Sequence, residues 1–513
     1  MFEYLMKSLK LQNFLEEPGA SALFLYLMGM GALDNILRAS FNGVEHLSIP
    51  LFHVHVLLFA LFFGVVLIIW KVLFSEYKIY VITRYYWILS LTPLLSYLLY
   101  GGVPENISST CMVCLLLMVA IFGLIIGFRM SKLKGMVKCS AFAAFTVLLS
   151  IPIFNVERVS LVMGTSPSFH IYGVSVDLFL QTGWSEGLLI NQQYHLMILI
   201  LLGELVFVYF LMAYKFFYMD LINMIKTVKP FRTLHFMAMV ILGMVFLRTV
   251  APDEALSSSA INHIPFIILP IICLALVWQF ATLINDRYDR EIDKYVHPER
   301  PLVRSNVHKK RYDDLTVLTA LSAVFFSVLL GVHIVLLVLL SIVLAILYST
   351  SPIRLRDRLY GHICVGLGSV IAFLTGIYSP PYWRHGISIY AEVMHRDIPL
   401  FPEIFQLSLL ILVVLSISPL INALSDYQGD LKSGVKNVYT VLGLEKGKRI
   451  VSILIFFLFI SPAMWFNSIP DLLFMSCLGL LSSVVFYRYE DHRPVFGMYF
   501  IVLLYVMINL WTL

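Results

Sequence analysis

The chain reads NHIPFIILPIICLALVWQFATLINDRYDREID at residues 262–293, and this stretch decides the fold class. Its apolar part, 262–283, is about as long as the roughly 20 residues that a helix needs to cross a bilayer. The apolar run ends directly in an acidic cluster. On a helix, Asp286, Asp289 and Asp293 stand at positions i, i+3 and i+7, so the sequence predicts one helix face with three carboxylates.

A second acidic cluster reads NALSDYQGD at residues 422–430. Its polar residues Asn422, Asp426 and Asp430 stand at i, i+4 and i+8, which again predicts a shared helix face. An Asp at the centre of a bilayer costs roughly 2.5–3.5 kcal/mol on insertion scales, so these carboxylates cannot face lipid. We therefore expect both clusters to face a wet cavity and to be held together by cations. Hard oxygen ligands shared with a phosphate-bearing substrate suit Mg²⁺ best.

The composition predicts an all-α, polytopic membrane protein. The 513 residues are 60% hydrophobic and only 13% charged, whereas soluble proteins carry about 25% charged residues. Long apolar runs recur along the whole chain, and the ten-residue alternating segments of a membrane β-barrel do not occur. The net charge of +5 is modest and concentrated in loops, and it gives no sign of nucleic-acid recognition.

The apolar pattern from about residue 233 onward predicts a bundle of nine membrane-spanning helices. The predicted spans are 233–250, 262–283, 314–331, 333–349, 361–379, 404–424, 449–466, 471–487 and 495–512. Three loops on one side are basic: 285–311, 351–358 and 426–449. The opposite loops, such as 251–263 and 380–402, carry far fewer Lys and Arg. The positive-inside rule predicts that the basic side is cytoplasmic.

The sequence predicts two domains, with a border at the basic connector 226–232. The first, 1–225, is an N-terminal multi-span membrane domain whose role the sequence does not indicate. Its predicted spans are 20–37, 52–74, 86–100, 111–128, 139–154 and 194–217.

Glu204 lies near the middle of one span, and a functional site and a structural bond to a neighbouring helix both stay open. His53 and His55 diverge on a helix, which disfavours a shared metal ion. Cys111 and Cys114 form a CxxC without a partner pair, which favours buried thiols.

Together these features resemble the UbiA superfamily of intramembrane prenyltransferases, over about residues 228–513. That family carries an NDxxDxxxD motif at the end of its second helix and a DxxxD motif at the end of its sixth. The matching residues here are Asn285–Asp293 and Asp426–Asp430, each at the end of the expected span. Three shorter elements also look like family signatures: Arg300-Pro301-Leu302, then Tyr348-Ser349 with Pro352 and Arg354-Leu355-Arg356, and Gly429-Asp430 with Gly434 and Leu442-Gly443.

The resemblance implies a nine-helix bundle that transfers an isoprenyl chain from a polyprenyl diphosphate to an aromatic or lipid acceptor. It also implies two Mg²⁺ ions bridged by the diphosphate. One ion would be bound by Asp286, Asp289 and Asp293, and the other by Asp426 and Asp430. Asn285 and Asn422 would add neutral contacts near each metal. The candidate diphosphate ligands are Lys436, Arg354, Arg356, Arg300 and Lys432. Tyr348 would donate to the diphosphate or flank the allylic cation.

The acceptor is not identified by these motifs. The Asp-Arg-Glu-Ile-Asp wording of the first motif resembles family members that prenylate chlorophyll precursors or glycerol lipids, whereas His297-Pro298 resembles members that make polyprenyl phosphoribose. Val438-Tyr439-Thr440 stands where many members read Thr-Leu-Pro, which leaves the shape of that loop open.

Several charged residues also have a structural interpretation that involves no substrate. The sequence favours pairing of Arg287, Arg290 and Lys294 with neighbouring acids or lipid phosphate, and a topology anchor at 304–311. Two alternative functions stay open. An ion-coupled transporter would place its acids near the midplane, and here they lie at helix ends beside basic loops. A degenerate, prenyltransferase-like scaffold is disfavoured because all five aspartates are present.

Overall fold

The computed structural model describes residues 19–42, 49–73, 184–250, 264–304, 307, 309–379, 400–466 and 468–512. Contacts divide the chain into two compact units, Met1–Leu221 and Ile222–Leu513. The predicted spans 86–100, 111–128 and 139–154, with the pair Cys111 and Cys114, lie outside the described residues.

The described residues confirm the predicted fold class. Their regular structure is helical, without a β-strand in the described ranges. The described residues contain ten helical stretches long and apolar enough to cross a membrane, by length and composition, and two of these, Pro402–Ser433 and Leu444–Phe466, each include a helix break. The chain is therefore an all-α, multi-pass membrane protein, as the hydropathy of its runs predicts.

In the first unit, the description covers three helices. They are α1 Ala20–Asn42, α2 Ile49–Leu73 and α3 Trp184–Phe216. Helix α2 packs against both α1 and α3. The Tyr209 hydroxyl of α3 donates to the carbonyl oxygen of Ala60 at 3.2 Å. His53 is fully buried, Glu204 is exposed, and the side chain of His55 lies outside the description.

The second unit begins at Ile222, within the helix that crosses the boundary, and contains the long helices that the sequence predicts. Its helices are α4 Tyr218–Ile225, α5 Pro230–Val250, α6 Ile264–Tyr288, α7 Arg290–Val296, α8 Lys309–Leu330, α9 Val332–Ser349, α10 His362–Ile377, α11 Leu400–Leu415, α12 Ser418–Ser433, α13 Val438–Leu442, α14 Leu444–Ile460, α15 Ala463–Phe466, α16 Ile469–Tyr489 and α17 Arg493–Thr512. Each of the nine predicted spans corresponds to one of these helices or to a broken pair.

The sixth predicted span, 404–424, lies within the membrane-spanning stretch Pro402–Ser433, which is broken into two helices. Helix α11 ends at Leu415 and α12 begins at Ser418, with Pro419 in the first turn of α12. Because proline lacks a backbone N–H, Pro419 cannot donate to the carbonyl of Leu415, and the helix breaks there. After the break, helix α12, which carries Asp426 and Asp430, packs against α7.

The first acidic cluster also lies on a bent helix rather than a straight one. Helix α6 ends at Tyr288 and α7 begins at Arg290, with Asp289 between them. The backbone N–H groups of Asp289 and Asp293 still donate to the carbonyls of Asn285 and Asp289, both at 2.8 Å. The bend therefore turns the chain without separating the three carboxylates.

Helix α5 is held at the centre of the second unit by close backbone contact with α10. A Cβ atom at Gly243 would lie 2.1 Å from the carbonyl oxygen of Phe373, and one at Gly376 would lie 2.0 Å from that of Val240. Only glycine allows this approach. Helix α5 also packs against α6 and α17, so it can carry side chains into the space between these helices.

Candidate active site

Both acidic clusters line one cavity in the second unit, with a volume of about 530 Å³. Most of the site residues predicted from the sequence lie on its wall: Asn285, Asp289, Asp293, Arg300, Tyr348, Arg356, Asn422, Asp426, Asp430 and Lys436. Asp286 and Arg354 contact these residues from behind the wall. Lys432 is exposed in the last turn of α12 and is not part of the lining. The roles of all these residues stay predictions.

Two carboxylates of the first cluster share one guanidinium group. Arg300 donates through Nη1 to Oδ1 of Asp286 at 3.0 Å and also to Oδ2 of Asp293. Lys229 donates through Nζ to the same Oδ1 of Asp286 at 2.9 Å. The hydroxyl of Tyr312 approaches the other oxygen of Asp286 at 3.5 Å. Asp286 and Asp293 are buried, so this pairing with cations compensates their loss of solvent.

Asp289 is the most deeply buried carboxylate of the cluster, at 1% exposure. It accepts hydrogen bonds from Nη2 of Arg354 at 2.9 Å and from Nδ2 of Asn285 at 2.6 Å, and it forms an ion pair with Arg356. The backbone N–H of Lys436 donates to the carbonyl of Asp357 at 3.1 Å. This bond fastens the loop that follows α12 to the Arg354–Asp357 segment.

The second cluster presents one carboxylate oxygen that accepts no hydrogen bond. Asp430 is buried, and its Oδ2 accepts from Nδ2 of Asn437 at 2.7 Å. Its Oδ1 is buried without a hydrogen-bond partner, and Nη2 of Arg356 lies 4.0 Å away. Asp426 is partly exposed and lies 3.5 Å from Nε2 of His297. Arg356 and His297 thus join the two clusters across the cavity.

Burial and charge act against each other on the ionisable groups between the spans. Burial raises the pKa of Asp293 to about 6, although the nearby guanidinium of Arg300 opposes this rise. Burial lowers the pKa of Lys229 to about 8, against the attraction of Asp286. For Arg300 burial lowers the pKa, but the attraction of Asp286 and Asp293 outweighs it and the net shift is upward. These opposed effects mark a desolvated, highly charged site.

The chemistry of the donor set fits a hard divalent cation. Both clusters supply carboxylate and amide oxygens, which Mg²⁺ prefers, and Oδ1 of Asp430 is buried without a hydrogen bond. Among the residues that the structure describes, no three His, Cys, Asp or Glu side chains are grouped to hold a metal ion as they stand. In the first cluster, the carboxylates form ion pairs with Lys229, Arg300, Arg354 and Arg356.

The wall of the cavity away from the carboxylates is largely apolar and aromatic. Phe236 stacks on Trp278 with ring centroids 4.5 Å apart and an interplanar angle of 22°. His235 and Tyr499 line the same wall. This part of the cavity suits a largely apolar ligand.

Several residues of the site belong to no motif in the sequence. Lys229 belongs to the basic connector, and His297 stands out in the sequence only within the dipeptide His297-Pro298. His235 and Tyr499 have no local signal at all, because they meet only after folding. Outside the cavity, Arg287 pairs with Asp313 at 2.8 Å and Lys294 with Glu291 at 2.6 Å, as the charge pattern predicts.

Comparisons with known proteins point to one family. The sequence model of the UbiA prenyltransferase family matches residues 232–504. Digeranylgeranylglyceryl phosphate synthase of Saccharolobus solfataricus is 24% identical over 201 residues, 39% of this chain and 65% of that relative. The enzyme of the same name from Sulfurisphaera tokodaii is 28% identical over 233 residues, 44% of this chain and 76% of that relative. The chain thus matches about two thirds to three quarters of these relatives' length.

Solved structures of UbiA homologues are also similar to this chain. A homologue from Archaeoglobus fulgidus bound to DMAPP and Mg²⁺ is 16% identical, with a TM-score of 0.40, and covers 57% of this chain and 99% of that chain. The same homologue bound to GPP and Mg²⁺ is 16% identical, with a TM-score of 0.42, and covers 57% of this chain and 100% of that chain.

Proposed function

Because the chain belongs to the UbiA prenyltransferase family, we propose that it transfers an isoprenyl chain from an isoprenyl diphosphate to a lipid acceptor in the membrane. Diphosphate is the leaving group. The observation that carries this proposal is the meeting of both acidic clusters in one cavity, where Arg356 lies between Asp289 and Asp430. A single diphosphate can reach both clusters only in such an arrangement.

The charged end of the cavity is suited to the diphosphate. Two Mg²⁺ ions, held by Asp286, Asp289 and Asp293 and by Asp426 and Asp430, would neutralise the negative charge that grows on the leaving group. Arg354, Arg356 and Lys436 supply positive charge at the same end. Guanidinium groups bind phosphate oxygens in a bidentate manner, so Arg354 and Arg356 would exchange Asp289 for the diphosphate when the donor binds.

The aromatic end of the cavity is suited to the isoprenyl chain of the donor and to the allylic cation. Tyr348 lines the cavity at the end of α9, where it can donate to the diphosphate or flank the cation. The apolar wall beside Phe236 and Trp278 keeps water from the cation, which water would otherwise consume. The protein's side chains thus bind the isoprenyl diphosphate, orient it and exclude solvent.

The acceptor that we propose first is a prenylated glyceryl phosphate. The support is the name of the relatives, digeranylgeranylglyceryl phosphate synthases, which match the transferase part of the chain. An aromatic acceptor is the competing choice. We also propose that the cavity opens to the cytoplasm, since the loops that supply Arg300, Arg354 and Lys436 are the basic ones.

A diphosphate-release assay tests the proposal. Purified protein with Mg²⁺ and geranylgeranyl diphosphate is expected to release diphosphate when geranylgeranylglyceryl phosphate is added, and a phenolic acid serves as the aromatic alternative. Asp289→Asn and Asp426→Asn are each expected to lower the rate by about 10²-fold or more, since charge stabilisation at the leaving group is lost. Asp313→Asn is the matched control, because Asp313 pairs with Arg287 outside the cavity. Wild-type rates in both site variants would show the assignment to be wrong.

A further inference from the structure

A hydrogen-bonded chain of three side chains links α5, α10 and α17 at the wall of the cavity. Nε2 of His235 lies 2.9 Å from Oγ of Ser369, and the hydroxyl of Tyr499 lies 2.9 Å from Nδ1 of His235. The three residues are far apart in sequence and meet only in the folded unit. The function proposed above assigns no role to any of them.

The direction of these hydrogen bonds follows from the serine. The Ser369 hydroxyl lies 3.0 Å from the carbonyl oxygen of Val365; with its one proton donated there, it accepts from Nε2–H of His235. The neutral imidazole then has a bare Nδ1, and this nitrogen accepts the proton of the Tyr499 hydroxyl. The chain is therefore aligned to carry a proton from Tyr499 toward His235.

The hydrogen-bonded series Ser369–His235–Tyr499 is buried at its Ser369 end and reaches the cavity at its Tyr499 end. Ser369 is fully buried, whereas His235 and Tyr499 are only partly buried and line the cavity that also holds Asp289 and Asp430. The phenolic oxygen of Tyr499 keeps lone pairs that can accept a further hydrogen bond. A group in the cavity that carries an O–H can thus donate to Tyr499.

The position of these three side chains separates them from the first acidic cluster. Lys229, which binds Asp286, precedes His235 by six residues, and at 1.5 Å per residue His235 lies roughly 9 Å further along α5. The surrounding wall includes the stacked rings of Phe236 and Trp278. A polar pair at this depth, in an apolar wall, suits the reacting group of a second, largely apolar substrate.

We propose that Tyr499 and His235 form a proton relay for the hydroxyl group of the lipid acceptor. The proposal rests on the prenyl transfer proposed above and gives the route by which the acceptor loses its proton. As the acceptor oxygen bonds to the allylic carbon, the carbon–oxygen bond to diphosphate breaks and its electron pair leaves with diphosphate. The acceptor proton passes to the Tyr499 oxygen, while the Tyr499 proton passes to Nδ1 of His235. The imidazolium returns this proton to water after the product leaves.

The alternative is that these hydrogen bonds only stabilise the packing of the three helices. Two reaction rates distinguish this structural role from a proton relay. The first is transfer from geranylgeranyl diphosphate to geranylgeranylglyceryl phosphate. The second is slow hydrolysis of the same donor without acceptor, which needs the donor site but no lipid alcohol. Tyr499→Phe and His235→Gln are expected to lower kcat for transfer by about 10²-fold or more, the usual contribution of a positioned base. Donor hydrolysis and the affinity for a non-hydrolysable thiolodiphosphate analogue are expected to stay at wild-type values.

Tyr505→Phe is the matched control, since Tyr505 lies on the same helix and donates to Asp471 away from the cavity. It is expected to transfer at the wild-type rate. Ser369→Ala provides a milder test should the other variants fail to fold. It removes the acceptor of Nε2–H together with the hydroxyl's bond to Val365, and a loss of about tenfold in kcat is expected because the imidazole is no longer held in one tautomer.

The outcomes distinguish this inference from the proposed function. An active wild type together with unchanged kcat in Tyr499→Phe, His235→Gln and Ser369→Ala overturns the relay alone. A loss of transfer and of donor hydrolysis in equal proportion also overturns it, since that is the result of a structural tie. A wild-type protein that releases no diphosphate with an alcohol acceptor overturns both.

Discussion

Arg356 is the residue that joins the two acidic clusters. Its Nη1 pairs with Asp289, and its Nη2 lies 4.0 Å from Oδ1 of Asp430. The side chain is only 15% exposed, so both contacts are made largely out of water. A cation in this position neutralises the site and can also bind the donor, because its planar fork matches phosphate oxygens as well as carboxylates.

The first prediction concerns this residue. Arg356→Ala is expected to weaken binding of an isoprenyl thiolodiphosphate by at least about tenfold, since charged hydrogen bonds contribute roughly 1.5–3 kcal/mol. Isothermal titration with Mg²⁺ present measures the affinity. Arg287→Ala is the control, because its pair with Asp313 is partly exposed and such pairs contribute only about 0–1 kcal/mol. Equal affinities of the Arg356→Ala variant and the control would remove Arg356 from the donor site.

At the scale of residues, the sequence predicts the acids but not their partners. The carboxylates of each cluster lie within eight residues of one another, and helical periodicity alone brings them to one place. Lys229 and Arg354 reach Asp286 and Asp289 across 57 and 65 residues of sequence. No local pattern encodes such contacts, because they depend on how whole helices pack.

At the scale of elements, α13 shows how a short helix supports a site residue. Asn437 caps α13: its Oδ1 accepts from the backbone N–H groups of Tyr439 and Thr440, at 2.9 and 3.0 Å. The hydroxyl of Thr440 accepts in return from the backbone N–H of Asn437 at 2.8 Å. The amide of Asn437 remains free for Oδ2 of Asp430. One side chain therefore both starts the helix and holds a carboxylate of the second cluster.

The second prediction separates these two tasks. Asn437→Ala removes the cap and the contact with Asp430, and it is expected to lower the free energy of unfolding by about 1 kcal/mol. It is also expected to slow diphosphate release by about tenfold, since Asp430 is no longer held in place. Thr440→Val disturbs the cap but keeps the contact with Asp430, so only its melting temperature should fall. Equal losses of activity in both variants would mean that the amide of Asn437 does not position Asp430.

Apolar runs predict where the helices lie but not where they break. The predicted spans 333–349 and 471–487 agree closely with α9 and α16. The break before α12 had a signal in Pro419, whereas the bend at Asp289 has none, because its backbone hydrogen bonds continue. The stretch Val438-Tyr439-Thr440, whose loop shape the sequence left open, forms α13 with Tyr439 fully buried and its hydroxyl bonded to Leu420.

At the scale of the whole molecule, hydropathy predicts the fold class but not the cavity. The class follows from composition, which needs no three-dimensional information. Predicting the cavity requires knowing how the helices are placed relative to one another. One such placement is the close contact of Gly243 with α10, which brings α5 beside α10. Every residue described at the site, from Lys229 to Tyr499, belongs to the second unit. The sequence indicates no role for the first unit.

The last prediction concerns the side of the membrane on which the cavity opens. The basic loops 285–311, 351–358 and 426–449 are expected to be cytoplasmic, because Lys and Arg are retained on that side during insertion. In a background with the six native cysteines replaced by serine, Lys446→Cys should react with a membrane-impermeant maleimide in inside-out vesicles only. Lys446 is exposed and lies outside the cavity wall, so the substitution leaves the site intact. Ser258→Cys, in the opposite loop 251–263, should react in right-side-out vesicles only. The reverse labelling pattern would place the acidic clusters, and the diphosphate that they are proposed to bind, on the far side of the membrane.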